Sequence, residues 1–272
     1  MDAMPQLSLI IPPDVAPERF VPIGRAAQSV GVDELWVWED CFAESGSATA
    51  AALLAATERV RVGIGLMPVP LRAVALTAME IATLERMAPG RVLPGVGHGV
   101  LEWMGQAGVR AQSPLTLLRE HAEALRRLLA GEEVSVEGRY VQLDRVQLRW
   151  PPADRPPLHL GAQRPKTLAL AAELGDGVIL AGDATPESTR AAVDAIRSVR
   201  AERGLDAPFG VVQFRGVRAD ASAAEVTDVA AALADAGATS VPIFALDPDG
   251  RIDAGDGILR LAETIGSLGA SV

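Results

Sequence analysis

The chain of 272 residues is 49% hydrophobic and 22% charged, a composition typical of a soluble globular protein, so we expect a single domain over residues 1–272. Its formal net charge of −10, without a basic block, argues against nucleic acid as a partner but is compatible with a small anionic cofactor. The one cysteine excludes an internal disulfide, and the lack of a targeting pattern or an apolar run of roughly 18 residues predicts a cytoplasmic protein that does not enter a membrane.

Apolar strands and amphipathic helices alternate along the first half of the chain. We predict strands at residues 7–11, 34–38, 60–66 and 91–96, with helices after them at 17–30, 48–57, 72–87 and 115–130. A loop or short helix over residues 99–112 separates the fourth strand from its helix. Residues 133–148 then alternate polar and apolar side chains around a turn at Gly138, which predicts a β-hairpin inserted after the fourth helix.

The alternation of strand and helix resumes in the second half. Strands at 157–160, 177–181, 209–217 and 240–246 precede helices at 165–174, 186–203, 223–236 and 257–268. Eight such pairs predict an α/β fold, a (β/α)₈ TIM barrel with the hairpin inserted, rather than an open doubly wound sheet, whose dinucleotide fingerprint is absent from the first turn. In such a barrel the functional residues lie on the loops that follow the strands.

The segment RVLPGVGHGVLEWM, residues 91–104, contains the most informative of these loops. Gly95, Gly97 and Gly99 recur at alternate positions, and we interpret them as places where the backbone can approach a flat or anionic ligand. A tight turn is the alternative explanation of these glycines. His98 lies among them at the end of the fourth strand, so we favour a role in a site over simple packing.

Four segments resemble, in order, the bacterial luciferase-like family of flavin- and deazaflavin-dependent oxidoreductases. They are GVDELWVWED (31–40), RVRVGIGLMPVPLR (59–72), AMEIATLERMAPGRVLPGVGHG (78–99) and PPLHLGAQRPKTLALAAELGDGVIL (156–180). The resemblance implies an enzyme that uses F420 or FMN to transfer a hydride to or from a small organic substrate, or to activate oxygen as a monooxygenase does. The glycine-containing third strand and the compact chain favour F420, with FMN as the alternative.

The resemblance also implies where the cofactor binds. Its ring is expected against the ends of the third and fourth strands, and its phosphate against the loops after the fifth and sixth. The residues implied are Gly65, Leu66, Met67, Gly97, His98, Gly161, Ala162, Gln163, Ala181 and Gly182. In deazaflavin-using relatives the third strand has a bulge with a non-proline cis peptide, and the matching bond here joins Gly65 to Leu66.

The residues that could transfer a proton differ from those found at the same positions in many relatives. Many relatives have an acidic residue followed by a histidine after the second strand, where this chain has Glu39 and Asp40. Sugar-phosphate dehydrogenases of the family have a glutamate where this chain has Val100, with Glu102 two positions away, so we do not expect oxidation of a sugar phosphate. The catalytic candidates are His98, Asp40, Glu39 and Glu102, with His98 first. Shaping of the loop is the alternative role for the carboxylates after the second strand.

We expect the tryptophans of the second strand and the other two histidines to have structural roles. Trp36 and Trp38 share one strand face, which we expect to pack against helices. His121 and His159 are expected to be structural, and the three histidines have no ligand spacing, so we predict no metal site.

Two other classes of function stay open. The first is a barrel that binds F420 or a flavin without turnover, as a carrier or sensor. The second is a cofactor-free lyase or isomerase that acts on a phosphorylated substrate. Members of the family often dimerise through barrel helices, and the alanine-rich second helix is compatible with a homodimer.

Overall fold

A computed structural model of the chain describes residues 5–181 and 185–269. The strands of its first half are β1 (Gln6–Ile10), β2 (Glu34–Val37), β3 (Arg61–Pro68) and β4 (Val92–Gly97). The helices between them are α1 (Phe20–Ser29), α2 (Gly46–Ala56) and α3 (Val74–Met87). After β4 come the short α4 (Leu101–Gln106), the long α5 (Pro114–Leu129) and the antiparallel hairpin of β5 (Val134–Glu137) and β6 (Gln142–Val146).

The second half continues the alternation of strand and helix. It comprises β7 (His159–Gly161), α6 (Pro165–Leu174), β8 (Gly177–Leu180), α7 (Pro186–Glu202), β9 (Gly210–Gln213), β10 (Arg215–Arg218), α8 (Ala223–Asp235), β11 (Ser240–Leu246) and α9 (Gly257–Gly269). Each predicted strand and helix is therefore present, with ends that differ by a few residues. No helix in these two ranges of residues is long and apolar enough to cross a bilayer.

The strands pair in parallel in the order β1-β2-β3-β4-β7-β8-β9-β11, and β11 pairs again with β1, which closes the barrel. The predicted TIM barrel with an inserted hairpin is confirmed. The seventh strand is interrupted at Phe214, where we predicted a continuous one, and so consists of β9 and β10. At the interruption the buried side-chain amide of Gln213 donates to the carbonyls of Ala181 and Phe214, at 2.6 and 2.9 Å.

Two apolar layers hold the barrel together. The larger layer lies between the strands and the helices, and a smaller cluster fills the barrel interior. Trp36 belongs to the interior cluster, with its ring centroid 5.5 Å from that of Phe214. The Trp38 ring is tilted against that of Phe214 and meets that of Phe244 edge-on, with centroids 6.1 and 5.7 Å away. Our prediction that Trp36 and Trp38 pack against helices is wrong, because in β2 it is the alternate residues, such as Leu35, that face the helices.

Two strand glycines make room for this interior cluster. A Cβ atom on Gly65 would lie 2.6 Å from Phe214 Cζ, and one on Gly95 would lie 2.5 Å from Ile179 Cδ1. Side chains of the barrel interior therefore occupy the space beside both glycines. The interpretation of Gly95 as a position open to a ligand is wrong, because packing explains it.

Two histidines are enclosed in the fold, as predicted. His121 on α5 is 1% exposed, and its Nε2 has no hydrogen-bond partner within the described residues. Burial, assisted by the nearby charge of Arg72, lowers the pKa of His121 to about 4. His159 is buried at the start of β7, where burial lowers its pKa and its ring meets the edge of Trp36.

Candidate active site

The loops that follow β2, β3, β4 and β7 lie at the same end of the barrel, because the strands are parallel. The residues singled out from the sequence on these four loops are therefore brought to this end, which we call the mouth. Groups of three or more His, Cys, Asp or Glu side chains that could hold a metal ion are absent from the residues the structure describes.

The side chain of Leu66 lies across the ends of β4 and β7 at the mouth. The peptide bond between Gly65 and Leu66 is cis, and the register of β3 against β4 shifts between Ile64 and Met67. The cis peptide and the bulge implied by the family resemblance are both confirmed. Leu66 is half-buried, whereas Met67 is fully buried in the layer that faces the helices, so the structure does not support a side-chain contact of Met67 with a cofactor.

The glycines next to Leu66 leave room for its side chain. A Cβ atom on Gly97 would lie 2.5 Å from Leu66 Cδ2, and one on Gly161 would overlap the same methyl group. Gly99 has a φ of +65°, and a Cβ atom there would lie 2.9 Å from Pro68 Cβ. The glycines thus let protein side chains, rather than a ligand, approach the backbone. The result is a half-exposed apolar surface formed by Leu66 over Gly97 and Gly161, which we call the Leu66 platform.

His98 follows β4 and joins the platform to α6. Its Nε2 lies 3.4 Å from Thr167 Oγ1 in the first turn of α6, and its Nδ1 is buried without a hydrogen bond of good geometry. Burial lowers the pKa of His98, and the carbonyl of Pro114, which faces the ring, partly offsets this. The imidazole is therefore neutral at pH 7 and can donate or accept a hydrogen bond.

The start of α6 presents groups that suit an anion. Gln163, Arg164 and Lys166 are exposed there, and neither cation has an ion-pair partner within the described part of the chain. The N–H groups of a helix start also favour negative charge. Ala162 is buried, and its N–H donates to the carbonyl of Ile179 at 3.1 Å, so it contributes packing rather than a donor.

Of the residues predicted after the sixth strand, one can be placed. Ala181 is half-buried, and its carbonyl accepts the 2.6 Å hydrogen bond from Gln213 Nε2. Gly182 lies outside the described residues. The phosphate contact expected at this loop therefore stays a prediction.

Glu39 is held in an ion pair. The guanidinium of Arg72 donates to both of its carboxylate oxygens at 2.7 and 2.8 Å, and the N–H of Gly46 donates at 2.8 Å. Arg72 also reaches Glu80 at 3.4 Å, and the Arg72 and Glu39 side chains are only 11% and 7% exposed. These contacts fasten the loop after β2 to α3. The geometry supports the loop-shaping alternative for Glu39 and does not support a role as proton donor.

Asp40, the next residue, keeps one side of its carboxylate available. Its Oδ2 accepts a hydrogen bond from Trp38 Nε1 at 2.9 Å, and the residue is half-buried. Burial raises the pKa of Asp40 and the charge of Asp14 adds to this, while the Trp38 bond opposes it. The aromatic pair of Trp38 and Phe244 lies beside it at the mouth.

Sequence reasoning missed Glu44 on the same loop. Its Oε1 is buried and has no hydrogen-bond partner among the residues described. Burial, followed by the charges of Asp40, Glu39 and Asp14, raises its pKa to about 7. No sequence pattern marks this glutamate, because only the folded loop shows that it is enclosed among other carboxylates.

Glu102 and Cys41 are the other potentially reactive side chains on these loops. Glu102 is exposed in the first turn of α4, without a hydrogen bond or ion pair to the rest of the described chain, so the structure shows no contact that would orient it toward a substrate. Burial, with the charges of Glu39 and Asp40, raises the pKa of the Cys41 thiol, which disfavours the thiolate form.

Comparison with known proteins identifies relatives over most of the chain. A family profile described as luciferase-like monooxygenase matches residues 4–269. A 5,10-methylenetetrahydromethanopterin reductase of Methanolobus tindarius is 29% identical over 182 residues, which are 67% of this chain and 55% of the relative. An F420-dependent glucose-6-phosphate dehydrogenase of Nakamurella multipartita is 29% identical over 185 residues, 62% of this chain and 54% of the relative. The chain thus spans about half the length of these curated relatives.

A solved structure confirms the fold. The coenzyme F420 dependent tetrahydromethanopterin reductase of Methanopyrus kandleri has a TM-score of 0.80 to this chain at 18% identity. The match covers 96% of this chain and 98% of that one, so the barrel is shared over nearly its whole length.

Proposed function

Because the chain belongs to the luciferase-like monooxygenase family, we propose that it is an oxidoreductase that transfers a hydride between F420 and a small organic substrate. The observation that carries the proposal is the Leu66 platform near the start of α6, an apolar surface near an exposed helix start with Arg164 and Lys166. FMN is the alternative cofactor. The F420-dependent dehydrogenase and the reductases among the relatives support the order of preference.

The residues present fit a flat cofactor with an acidic tail. Leu66 offers an apolar face for a ring, and the exposed Gln163, Arg164 and Lys166 offer donors and positive charge for a phosphate. His98 lies between the two, with Nε2 near Thr167. When bound, such a cofactor supplies the hydride chemistry, and the protein supplies orientation and exclusion of water.

A hydride that enters or leaves a substrate is accompanied by a proton, so the site needs an acid or base. We assign this role to Glu44, whose pKa of about 7 gives it both protonation states at neutral pH. The neighbouring carboxylate of Asp40 accepts a hydrogen bond from Trp38, and its negative charge contributes to the raised pKa of Glu44. His98 is the second candidate, and Glu39 is not retained because Arg72 occupies both of its oxygens.

A hydride-exchange assay tests this function. The protein is mixed with reduced F420 and, separately, reduced FMN, against a panel of carbonyl, imine and activated alkene acceptors, and cofactor oxidation is followed by absorbance. The proposal expects oxidation that depends on protein and acceptor and that falls about a hundredfold in Glu44→Gln. The matched control, Glu263→Gln, removes an exposed carboxylate of α9, outside the site, and keeps the rate.

The same assay separates the other classes of function. Tight binding of F420 without hydride exchange to any acceptor indicates a carrier or sensor. Binding of phosphate without binding of either cofactor indicates a lyase or isomerase. Oxidation of reduced FMN alone assigns the alternative cofactor, and oxygen uptake without an organic acceptor indicates activation of oxygen.

We also propose that the chain forms a homodimer through α2 and α3. Leu76, Met79 and Met87 lie on α3 with 47%, 56% and 66% of their surface exposed, so this helix carries apolar surface that a second copy could cover. A shallow groove of about 40 Å³ runs between the two helices beside them, lined by Ala51 and Ala55 among others. Light scattering of the purified protein should give twice the chain mass, and Met79→Glu should give the monomer.

A cytoplasmic location and a single domain over residues 1–272 remain predictions from composition. Fractionation of the native host tests the location. Limited proteolysis tests the domain organisation, because one domain should lose only its ends before it is degraded.

A further inference from the structure

Glu120 on α5 fastens the tip of the inserted hairpin. Its carboxylate accepts the N–H groups of Arg139, Tyr140 and Val141 at 2.9, 2.7 and 3.0 Å. Burial would raise the pKa of Glu120, but these donors outweigh it and lower the pKa, so the carboxylate stays ionised at neutral pH. A Cβ atom on Gly138 would lie 2.5 Å from Glu120 Oε2, which explains the glycine at the turn. The hairpin tip is thus fixed to α5 by three charge-assisted hydrogen bonds.

The same tip holds the segment that connects α4 to α5. Tyr140 Oη accepts the backbone N–H of Ser113 at 2.7 Å, and Arg139 Nη2 donates to Gln112 Oε1 at 2.6 Å. The hydroxyl of Ser113 bonds to Thr116 Oγ1 at 2.8 Å rather than to a helix N–H. The N–H of Ser113 is therefore satisfied by a residue 27 positions away, on an element outside the barrel.

This contact is connected to His98 through one residue. Pro114 follows Ser113 as the first residue of α5, and its carbonyl faces the His98 ring and raises the ring's pKa. The other groups at the imidazole are Thr167, and the surrounding protein that buries it. The start of α5 and the start of α6 thus lie on two sides of His98, and the hairpin fixes the first of them.

We propose that Tyr140 is a positioning residue that holds His98 at the mouth through Ser113 and Pro114. The role of His98 in a reaction rests on the proposed function, but the mechanical link does not depend on it. Loss of the Tyr140 hydroxyl leaves the N–H of Ser113 without its acceptor, so the start of α5 moves away and water enters beside the ring. This movement weakens both influences on the pKa of His98, the burial that lowers it and the Pro114 carbonyl that raises it. Because burial is the larger of the two, we expect a net rise of the pKa toward the ordinary value.

The test uses the full chain without any cofactor. The titration of His98 is followed by NMR in the wild type, in Tyr140→Phe and in the control Asp144→Asn, which changes an exposed residue of the same hairpin; His98→Asn assigns the resonance. We expect an upward shift of about half a pH unit in Tyr140→Phe and none in the control. Amide exchange of Ser113 should be faster by about tenfold in Tyr140→Phe alone.

An unchanged His98 titration and unchanged Ser113 exchange in folded Tyr140→Phe would overturn the proposal. If that variant does not fold, Glu120→Gln provides the same test, because it weakens the tip without removing the tyrosine. A shifted titration in a protein that binds neither F420 nor FMN would leave the link intact and refute only the proposed function. Equal unfolding midpoints of the Tyr140→Phe and Asp144→Asn variants show that the effect is local.

Discussion

Leu66 lies so close to Gly97 that a Cβ atom on the glycine would come within 2.5 Å of Leu66 Cδ2. The two residues belong to neighbouring strands, β3 and β4, and their contact forms half of the platform on which we place the cofactor ring. Gly97 thus acts indirectly. It leaves room for the Leu66 side chain, and we expect the ligand to contact that side chain rather than the glycine.

This contact predicts the effect of Gly97→Ala. The new methyl group must displace the Leu66 side chain, which can move because its outer surface is open, so the fold should tolerate the change while the platform loses its shape. We expect about tenfold weaker binding of F420, measured by fluorescence titration. The control is Gly105→Ala on α4, where the added Cβ meets only Arg110 Cδ at 3.9 Å. Equal affinities of the two variants would contradict the platform.

Glu44 predicts a dependence of stability on pH. Its pKa is raised to about 7 in the folded chain, whereas the unfolded carboxyl ionises near 4.5, so between these values the folded state binds more protons. Stability should therefore fall as pH rises from 4.5 to 7, by about 1–2 kcal/mol after allowance for solvent screening. Urea unfolding at pH 5 and pH 8 should show this fall in wild type and less of it in Glu44→Gln. A fall of the same size in the variant would show that other groups cause it.

The ion pair of Arg72 and Glu39 predicts a large loss of stability on truncation. Arg72→Ala leaves the Glu39 carboxylate buried with only the N–H of Gly46, which should destabilise the chain by about 3 kcal/mol in chemical denaturation. In Arg72→Met with Glu39→Gln the uncompensated charge is gone, and the double variant should recover part of the loss. A double variant no more stable than Arg72→Ala would contradict this account.

His121 predicts a second pH effect, of opposite sign. Its pKa is lowered to about 4 in the folded chain, so as pH falls from 6.5 to 4 the unfolded chain takes up a proton that the folded chain refuses. Stability should fall over this range by about 3 kcal/mol. His121→Leu removes the titrating group together with its Nε2, which has no hydrogen-bond partner among the described residues. Thermal unfolding of this variant should therefore show a smaller fall of stability between pH 6.5 and 4. If the variant loses as much stability as the wild type over this range, another group is responsible.

The sequence predicted most of the fold because its periodicity is local. The apolar runs of β3 and β4, the helix of residues 114–129 and the hairpin turn at Gly138 each carry their own signal of strand, helix or turn. The break of the seventh strand at Phe214 carries none, since the Gln213 side chain at the break bonds to the carbonyl of Ala181, just after β8, and to that of Phe214, contacts that exist only in the folded chain.

The candidate site was less predictable, for a physical reason. The position of His98 at the end of the fourth strand followed from the strand and glycines around it, and the cis bond at Leu66 was implied by the resemblance to the family. The different surroundings of Glu39 and Glu44 did not. Glu39 forms an ion pair with Arg72, 33 positions away, whereas the Oε1 atom of Glu44 is buried without a hydrogen-bond partner among the described residues. Both look alike in sequence, because burial and charge pairing are produced by segments that meet only in the folded chain.

Equilibrium titration of the purified protein with F420 and with FMN tests the central claim most directly. The account predicts saturable binding of F420 with a dissociation constant in the low micromolar range or below, weaker binding of FMN, and competition by inorganic phosphate at the start of α6. Failure of both cofactors to bind at high micromolar concentration would contradict it.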